Sequence, residues 1–297
     1  MKKIIIKSFY FTIYFIIFFA VINFIYAGVI ILTDFNVKKR IEMMDFNNPD
    51  YDLIALGAST TLDGIDTEFL TENGLRSYNT AIDGCSVKTN YIQLREYLDK
   101  ASNHKPKYVV LGLNSSMVIS FDDELIQPIV ETSMKNHHIS LNDAPVLKFK
   151  WLGFELLKKI FSKAHRNAKM TLGQIKFKYS NPDNTNYKSQ ILNIDEFEKS
   201  FWIGELSLMC KQNGITLIVL EMPGYKATQN QSPLGPYKLN FDNGSCAYLL
   251  NFNSNDFCQI FTDDKDWIGN SHLNESGASK LTKEFLKIIK KKKIFEN

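Results

Sequence analysis

The sequence is short of the features that most often announce a function. Its four cysteines, Cys85, Cys210, Cys246 and Cys258, include no Cys-x-x-Cys pair, so they lack the ligand spacing of a zinc module. Net charge is only +3, from 35 Lys and Arg against 32 Asp and Glu, which leaves no electrostatic footprint for a nucleic-acid partner. There is no glycine-rich phosphate loop of the kind a nucleotide-binding α/β module needs. No internal repeat is visible, and no Gly/Ser-rich or Pro-rich linker divides the chain. Nothing in the pattern calls for a metal or an organic cofactor. Cys246 and Cys258 stand close enough in sequence to bridge in an oxidising compartment. Free thiols buried as small apolar side chains are the alternative reading.

Charge is also missing where its absence matters most. From Ser8 to Thr33 the chain runs without one charged residue. A helix of that length, at about 1.5 Å per residue, exceeds a bilayer core of roughly 30 Å. Lys2, Lys3 and Lys7 precede the run, which favours a cytoplasmic N-terminus and an exported remainder. Lys38, Lys39 and Arg40 follow it and pull the other way. A cleaved signal peptide would carry a shorter apolar region. The reading is a retained signal anchor over residues 1–40, its transmembrane helix at about 8–33, with the main domain outside the cytoplasm.

What remains, residues 41–297, has the composition of a globular domain, with 44% hydrophobic residues in the whole chain. Residues 41–50 read as a polar approach to YDLIALG (51–57), a buried strand. Helical spacing follows over 60–72, then a short strand SYNTAI (77–82) and an amphipathic helix over 91–100. KYVVLGLN (107–114) is a third strand, and ITLIVLEMP (215–223) follows a helix over about 195–213. A last helix spans about 276–290. Residues 151–164 have helical spacing and 181–187 read as a loop, within a stretch at 120–190 that breaks the alternation. A second irregular insertion covers 224–262. Strand–helix alternation predicts a parallel sheet with helices on both faces. Ligands in such sheets bind beyond the carboxyl ends of the strands.

Several residues gather at those ends. Ser59, in Gly57-Ala58-Ser59-Thr60-Thr61, follows the first strand and opens a helix. There it is either a routine N-cap or a nucleophile beside free backbone N–H groups. Asn79 lies in the second strand, with Gly84 after it. Asn114 ends the third, and His272 precedes the last helix within SHLNESGA (271–278). Their order and spacing resemble the SGNH (GDSL-type) hydrolase family, whose four blocks carry Ser, Gly, Asn and His. GASTT (57–61), IDG (82–84), GLN (112–114) and SHLNESGA match those blocks in turn. The anchor and the HLN-x-x-GA string look most like the membrane-anchored branch that includes alginate O-acetylation proteins and the D-alanyl transfer protein of teichoic acid synthesis.

The resemblance implies a three-layer α/β/α domain over 41–297, with Ser59 as nucleophile and His272 as base. It also implies an oxyanion hole from the Ser59 and Gly84 N–H groups and the Asn114 amide. The family's usual Asp, three residues before the histidine, is replaced by Gly269. Asp266 is the first substitute, with Asp263 and Asp264 behind it. Ser115 stands after Asn114 where Asp is common. Trp267 is a candidate substrate contact, and Trp151 and Trp202 could stack on sugars or fill the core. The expected activity is an extracytoplasmic esterase or O-acyltransferase on acyl esters of an envelope glycan or polymer. A membrane-bound acyltransferase is a possible partner for the transferase. The alternative is a catalytically degenerate envelope assembly or carbohydrate-binding protein. His137-His138, the basic stretch 158–171 and KIIKKKK (287–293) read as solvated faces.

Overall fold

The computed structural model of the chain describes residues 2–114, 168–180, 192–225, 232–261, 265–269 and 271–291. The chain divides into two compact units, Met1–Asp45 with Pro128–Arg166, and Phe46–Gln127 with Asn167–Asn297. In the first unit, α1 (Lys2–Thr33) contains a span from Lys3 to Tyr26 of 24 residues with mean hydropathy 2.2. Its Ile and Phe side chains are exposed all round the helix, the pattern of a helix that needs an apolar surrounding rather than one packed on a core. One helix long and apolar enough to cross a bilayer is therefore present. Asp34 interrupts it and accepts from the Asn36 N–H at 3.0 Å, so the chain restarts as α2 (Phe35–Met44). The first residues of the polar approach read at 41–50 are thus helical, as far as Met44.

In the second unit, β1 (Leu53–Gly57), β2 (Ser77–Asn79) and β3 (Tyr108–Leu113) come first. β4 (Lys169–Thr171) and β5 (Gln174–Lys176) pair only with each other, and β6 (Thr216–Glu221), β7 (Tyr237–Asn240) and β8 (Cys246–Asn251) follow. Six strands make one sheet in the order β2-β1-β3-β6-β8-β7. All neighbours are parallel except β7, which is antiparallel to β8. The stretch 224–262, expected to be irregular, supplies both of these strands. Pro233, Gly235, Pro236 and Gly244 stand in the turns before and between these short strands, which is what masked them in the sequence.

Helices α3 (Ser59–Gly64), α4 (Thr67–Glu72) and α5 (Val87–Lys100) precede β3. α6 (Ile194–Lys199) and α7 (Phe201–Gln212) precede β6, and α8 (Asn255–Cys258) and α9 (Glu275–Lys290) follow the sheet. α9 packs with α3 and α4, and α7 packs with α5. Strand residues alternate between the two faces. Leu53, Ala55, Val110, Ile218, Leu220 and Leu250 join Leu281 and Phe285 of α9 in one fully buried cluster. Ile54, Leu56, Val109, Leu111, Leu217 and Val219, equally buried, belong to the opposite face. Burial on both faces explains why β1, β3 and β6 read as continuous apolar runs.

All four cysteines are free, with Cys85 and Cys210 buried and Cys246 exposed. The helix read at 151–164, the loop at 181–187, Trp151, Ser115 and His137-His138 lie outside the described residues.

Candidate functional site

Ser59 is the first residue of α3, immediately past the carboxyl end of β1. Three contacts fix that turn. The Gly57 N–H donates to Asn90 Oδ1 at 2.9 Å, and the Gly57 carbonyl accepts from the Ile82 N–H at 3.2 Å and from Cys85 Sγ at 2.9 Å. α3 then crosses very near the strands beneath it, since Thr61 Oγ1 donates to the Gly112 carbonyl at 3.0 Å. A Cβ on Gly57 or on Gly112 would overlap Thr61 Oγ1, and Gly57 holds φ at +146°. Both glycines are required for the helix to lie this close, which places Ser59 over the sheet's edge. Ser59 itself is half-buried.

His272 reaches the site from the loop before α9. The loop folds back as a narrow turn, bridged at Trp267 and Leu273, with the Ile268 N–H donating to the His272 carbonyl at 2.9 Å. His272 Nδ1 lies 2.8 Å from Asp63 Oδ2. Asp63 is one turn along α3 from Ser59, so its Cβ shares a face with Ser59's. Asp63 is buried while the His272 side chain is 32% exposed. Burial of the ring opposes protonation. The hydrogen bond and charge of Asp63, joined by the charge of Asp83, outweigh it and raise the pKa above the ordinary histidine value. With Nδ1 committed to Asp63, Nε2 is the nitrogen left to handle a serine proton. Among the described residues no hydrogen bond joins Ser59 to His272; such contacts commonly tighten only with substrate bound.

Asp63 was not among the residues picked out from the sequence, which favoured Asp266. Asp266 is fully buried and faces elsewhere, accepting from Ser276 Oγ at 2.7 Å and pairing with Lys280 Nζ at 2.6 Å. It ties the loop to α9, while the acceptor at His272 Nδ1 is Asp63. Asp263 and Asp264 lie outside the described residues. Trp267 is not a substrate contact in this structure: it is 1% exposed and packs edge-on against Tyr225 and Phe261 at 5.8 and 5.3 Å between centroids. Large aromatic area is worth most when buried, and the loop carrying His272 needs that anchor.

Gly84 sits in an exposed turn closed by the Cys85 N–H to the Ile82 carbonyl at 3.2 Å, with φ at +67°. Asn114 follows β3, 7% exposed, and its Oδ1 is buried without a hydrogen-bond partner. Buried amide groups are rarely left unpaired without a reason. Asn79 is structural, since its Nδ2 donates to the Thr61 carbonyl at 2.8 Å and its Oδ1 accepts from the Ala81 N–H at 3.0 Å. The β4–β5 hairpin clamps the arrangement. Gln174 Nε2 donates to the Asp63 carbonyl at 3.1 Å, and the Leu172 carbonyl accepts from the Asn79 N–H at 3.0 Å. Lys176 Nζ pairs with Asp66 at 3.0 Å and Glu68 at 2.8 Å.

No group of His, Cys, Asp and Glu suited to a metal occurs among the described residues. Asp63, one helix turn from the half-buried Ser59, backs the His272 imidazole. An acceptor behind an imidazole is the arrangement nucleophilic acyl transfer uses when the ring's other nitrogen meets a serine hydroxyl. The chain matches no protein-family model and no curated protein, so its function is argued from this geometry.

Proposed function

We propose that the chain is a membrane-anchored serine esterase or O-acyltransferase of SGNH type, with Ser59 as nucleophile, His272 as base and Asp63 as the acid behind it. The contact of 2.8 Å between His272 Nδ1 and Asp63 Oδ2 carries this reading. It supplies the acceptor that Gly269 fails to supply, from the helix that bears the serine.

In the proposed reaction Ser59 Oγ attacks the ester carbonyl and its proton passes to His272 Nε2. Negative charge develops on the carbonyl oxygen, facing the N–H groups of Ser59 and Gly84 and the Asn114 amide. Collapse expels the alcohol, which takes the proton from His272, and leaves an acyl-serine. Water, or a sugar hydroxyl, then attacks the acyl-serine with His272 again accepting the proton. Collapse breaks the bond to Ser59 Oγ, which takes that proton back as the acid or new ester departs. Asp63 holds the ring and stabilises the imidazolium without being protonated itself. No step draws on a cofactor. Lys2, Lys3 and Lys7 ahead of the apolar span support an exported domain, and an envelope glycan or polymer ester fits that setting. A membrane-bound acyltransferase would be the donor's source for the transferase.

The test is fluorophosphonate labelling of the full-length chain in detergent. Labelling lost in Ser59→Ala and reduced in both His272→Ala and Asp63→Asn supports the reading. A folded wild type that does not label overturns it and favours the degenerate, binding-only alternative.

A further inference from the structure

Outside α1, the large apolar side chain left exposed among the described residues is Phe201, at 64%. It is not isolated. Its ring centroid lies 5.0 Å from that of Trp202, and Trp202 lies 5.5 Å from Tyr91 of the neighbouring helix. Lys88 Nζ stands 5.3 Å from the Trp202 centroid and the Arg95 guanidinium 6.0 Å from that of Tyr91. Helices α5 and α7 each lead into a parallel strand, so both run from the carboxyl edge of the sheet to its amino edge. Lys88, Phe201 and Trp202 therefore stand at the same edge as Ser59, and Lys88 is four residues beyond Gly84. Tyr91 then leads into a groove of about 440 Å³ between the two helices, lined also by Arg95, Asp99, Lys105, Glu205 and Gln212.

We propose that this flank is a saccharide-binding track that starts at the edge of the sheet holding Ser59 and runs along α5 and α7. The exposed Phe201 ring, backed by Trp202, offers an apolar face of about the size of a pyranose ring, and the groove beyond it offers donors and acceptors side by side. Arg95, Asp99 and Glu205 line one groove, yet among the described residues none of them is in an ion pair. Charges of both signs that do not neutralise each other suit a neutral ligand rich in hydroxyls. With two cations, Arg95 and Lys105, against two carboxylates, Asp99 and Glu205, the groove has no net charge to draw a polyanion. A protein partner would call for a more apolar centre than this lining provides. The volume falls within the roughly 300–1,000 Å³ of small-ligand clefts, and α5, at about 1.5 Å per residue over 14 residues, gives a track about 20 Å long. Such a track is independent of the chemistry at Ser59 and would exist on a catalytically silent chain as well.

Isothermal calorimetry tests it with the full-length chain in a polyoxyethylene detergent, which carries no sugar. The probes are cellulose- and chitin-derived oligosaccharides, with polyglutamate as the anionic comparator. Neutral oligosaccharides should bind with Kd at or below about 1 mM. Phe201→Ala and Arg95→Ala, both at exposed positions, should each weaken binding about three- to tenfold. Ser59→Ala should bind as the wild type does, so that a failure of the enzyme reading leaves this one standing. Binding to polyglutamate alone, no heat with any neutral oligosaccharide, or undiminished binding by a variant carrying both Phe201→Ala and Arg95→Ala would each overturn the proposal.

Discussion

At the scale of single residues, the decisive partnership joins positions that are 209 residues apart, Asp63 and His272. The raised pKa of His272 has two consequences with definite sign. As the proposed general base His272 must be neutral to work, so activity should fall as pH drops through the raised value, with the acid limb of kcat/KM above the ordinary histidine value of 6.5. Asp63→Asn removes the charge that raises it. The limb should then move to lower pH while kcat drops by about 10²–10⁴. Stability follows the same linkage. A pKa raised by folding stabilises below the unfolded value and loses that contribution as pH rises through the folded one. Asp63→Asn should therefore cost more stability at pH below 6.5 than in alkali, read from urea unfolding at both. Equal losses at the two extremes would mean that Asp63 does not hold the imidazolium.

The elements show what sequence could and could not disclose. β1, β3 and β6 were legible because central parallel strands are apolar on both faces, and with them the places of Ser59 past β1 and Asn114 past β3, whereas Gly84 falls in the turn after β2 and His272 in the loop before α9. β7 and β8 were not, because short outer strands among Asn, Pro and Gly carry no clear period. Asp63 was invisible for a different reason: within STTLDG it reads as a polar residue of an amphipathic helix, and only the fold brings the loop before α9 onto it. Gly112 and Gly57 read as strand ends, yet their function is to admit Thr61 of α3. Gly112→Ala would drive a methyl into Thr61 Oγ1 and lift α3, so activity should fall at least tenfold with a stability loss of about 1–3 kcal/mol. The double variant with Thr61→Ser should recover stability incompletely, because Oγ remains. Thr61→Gly in that background should relieve the clash and restore part of the labelling at Ser59.

The opposite edge of the sheet is knitted by charge. Asp52, just before β1, pairs with Arg76 Nε and Lys107 Nζ, each at 3.0 Å, residues that lead into β2 and β3. Burial pushes the Asp52 carboxyl up, but the hydrogen bonds and charges of Arg76 and Lys107 prevail and hold it below its ordinary value. A lowered carboxylate pKa stabilises above the unfolded value and loses that contribution as pH falls through the folded one. Asp52→Asn should cost about 1–3 kcal/mol at pH 7 and progressively less in acid, leaving catalysis by the folded fraction unchanged. A kcat change would mean that the two edges of the sheet are coupled.

At the scale of the whole molecule, the proposed anchor makes a prediction about which side of a membrane the sheet occupies. The cysteines provide a reporter already in place. Cys246 is exposed, whereas Cys85 and Cys210 are buried and burial pushes the Cys258 thiol up to about 12. Thiolate is the reactive form, so Cys246 is the site a maleimide should reach first in the native chain among the described cysteines. In the proposed orientation, with the three lysines ahead of the apolar span inside, the sheet would lie outside. A membrane-impermeant maleimide added to intact spheroplasts should then label the wild type and spare Cys246→Ser. Replacing Lys2, Lys3 and Lys7 together by Glu removes the bias and leaves Lys38, Lys39 and Arg40 to set orientation, so labelling in intact spheroplasts should fall while labelling after lysis persists. A wild type labelled only after lysis would place Ser59 in the cytoplasm. The acyl ester to look for would then be a cytoplasmic metabolite rather than an envelope polymer.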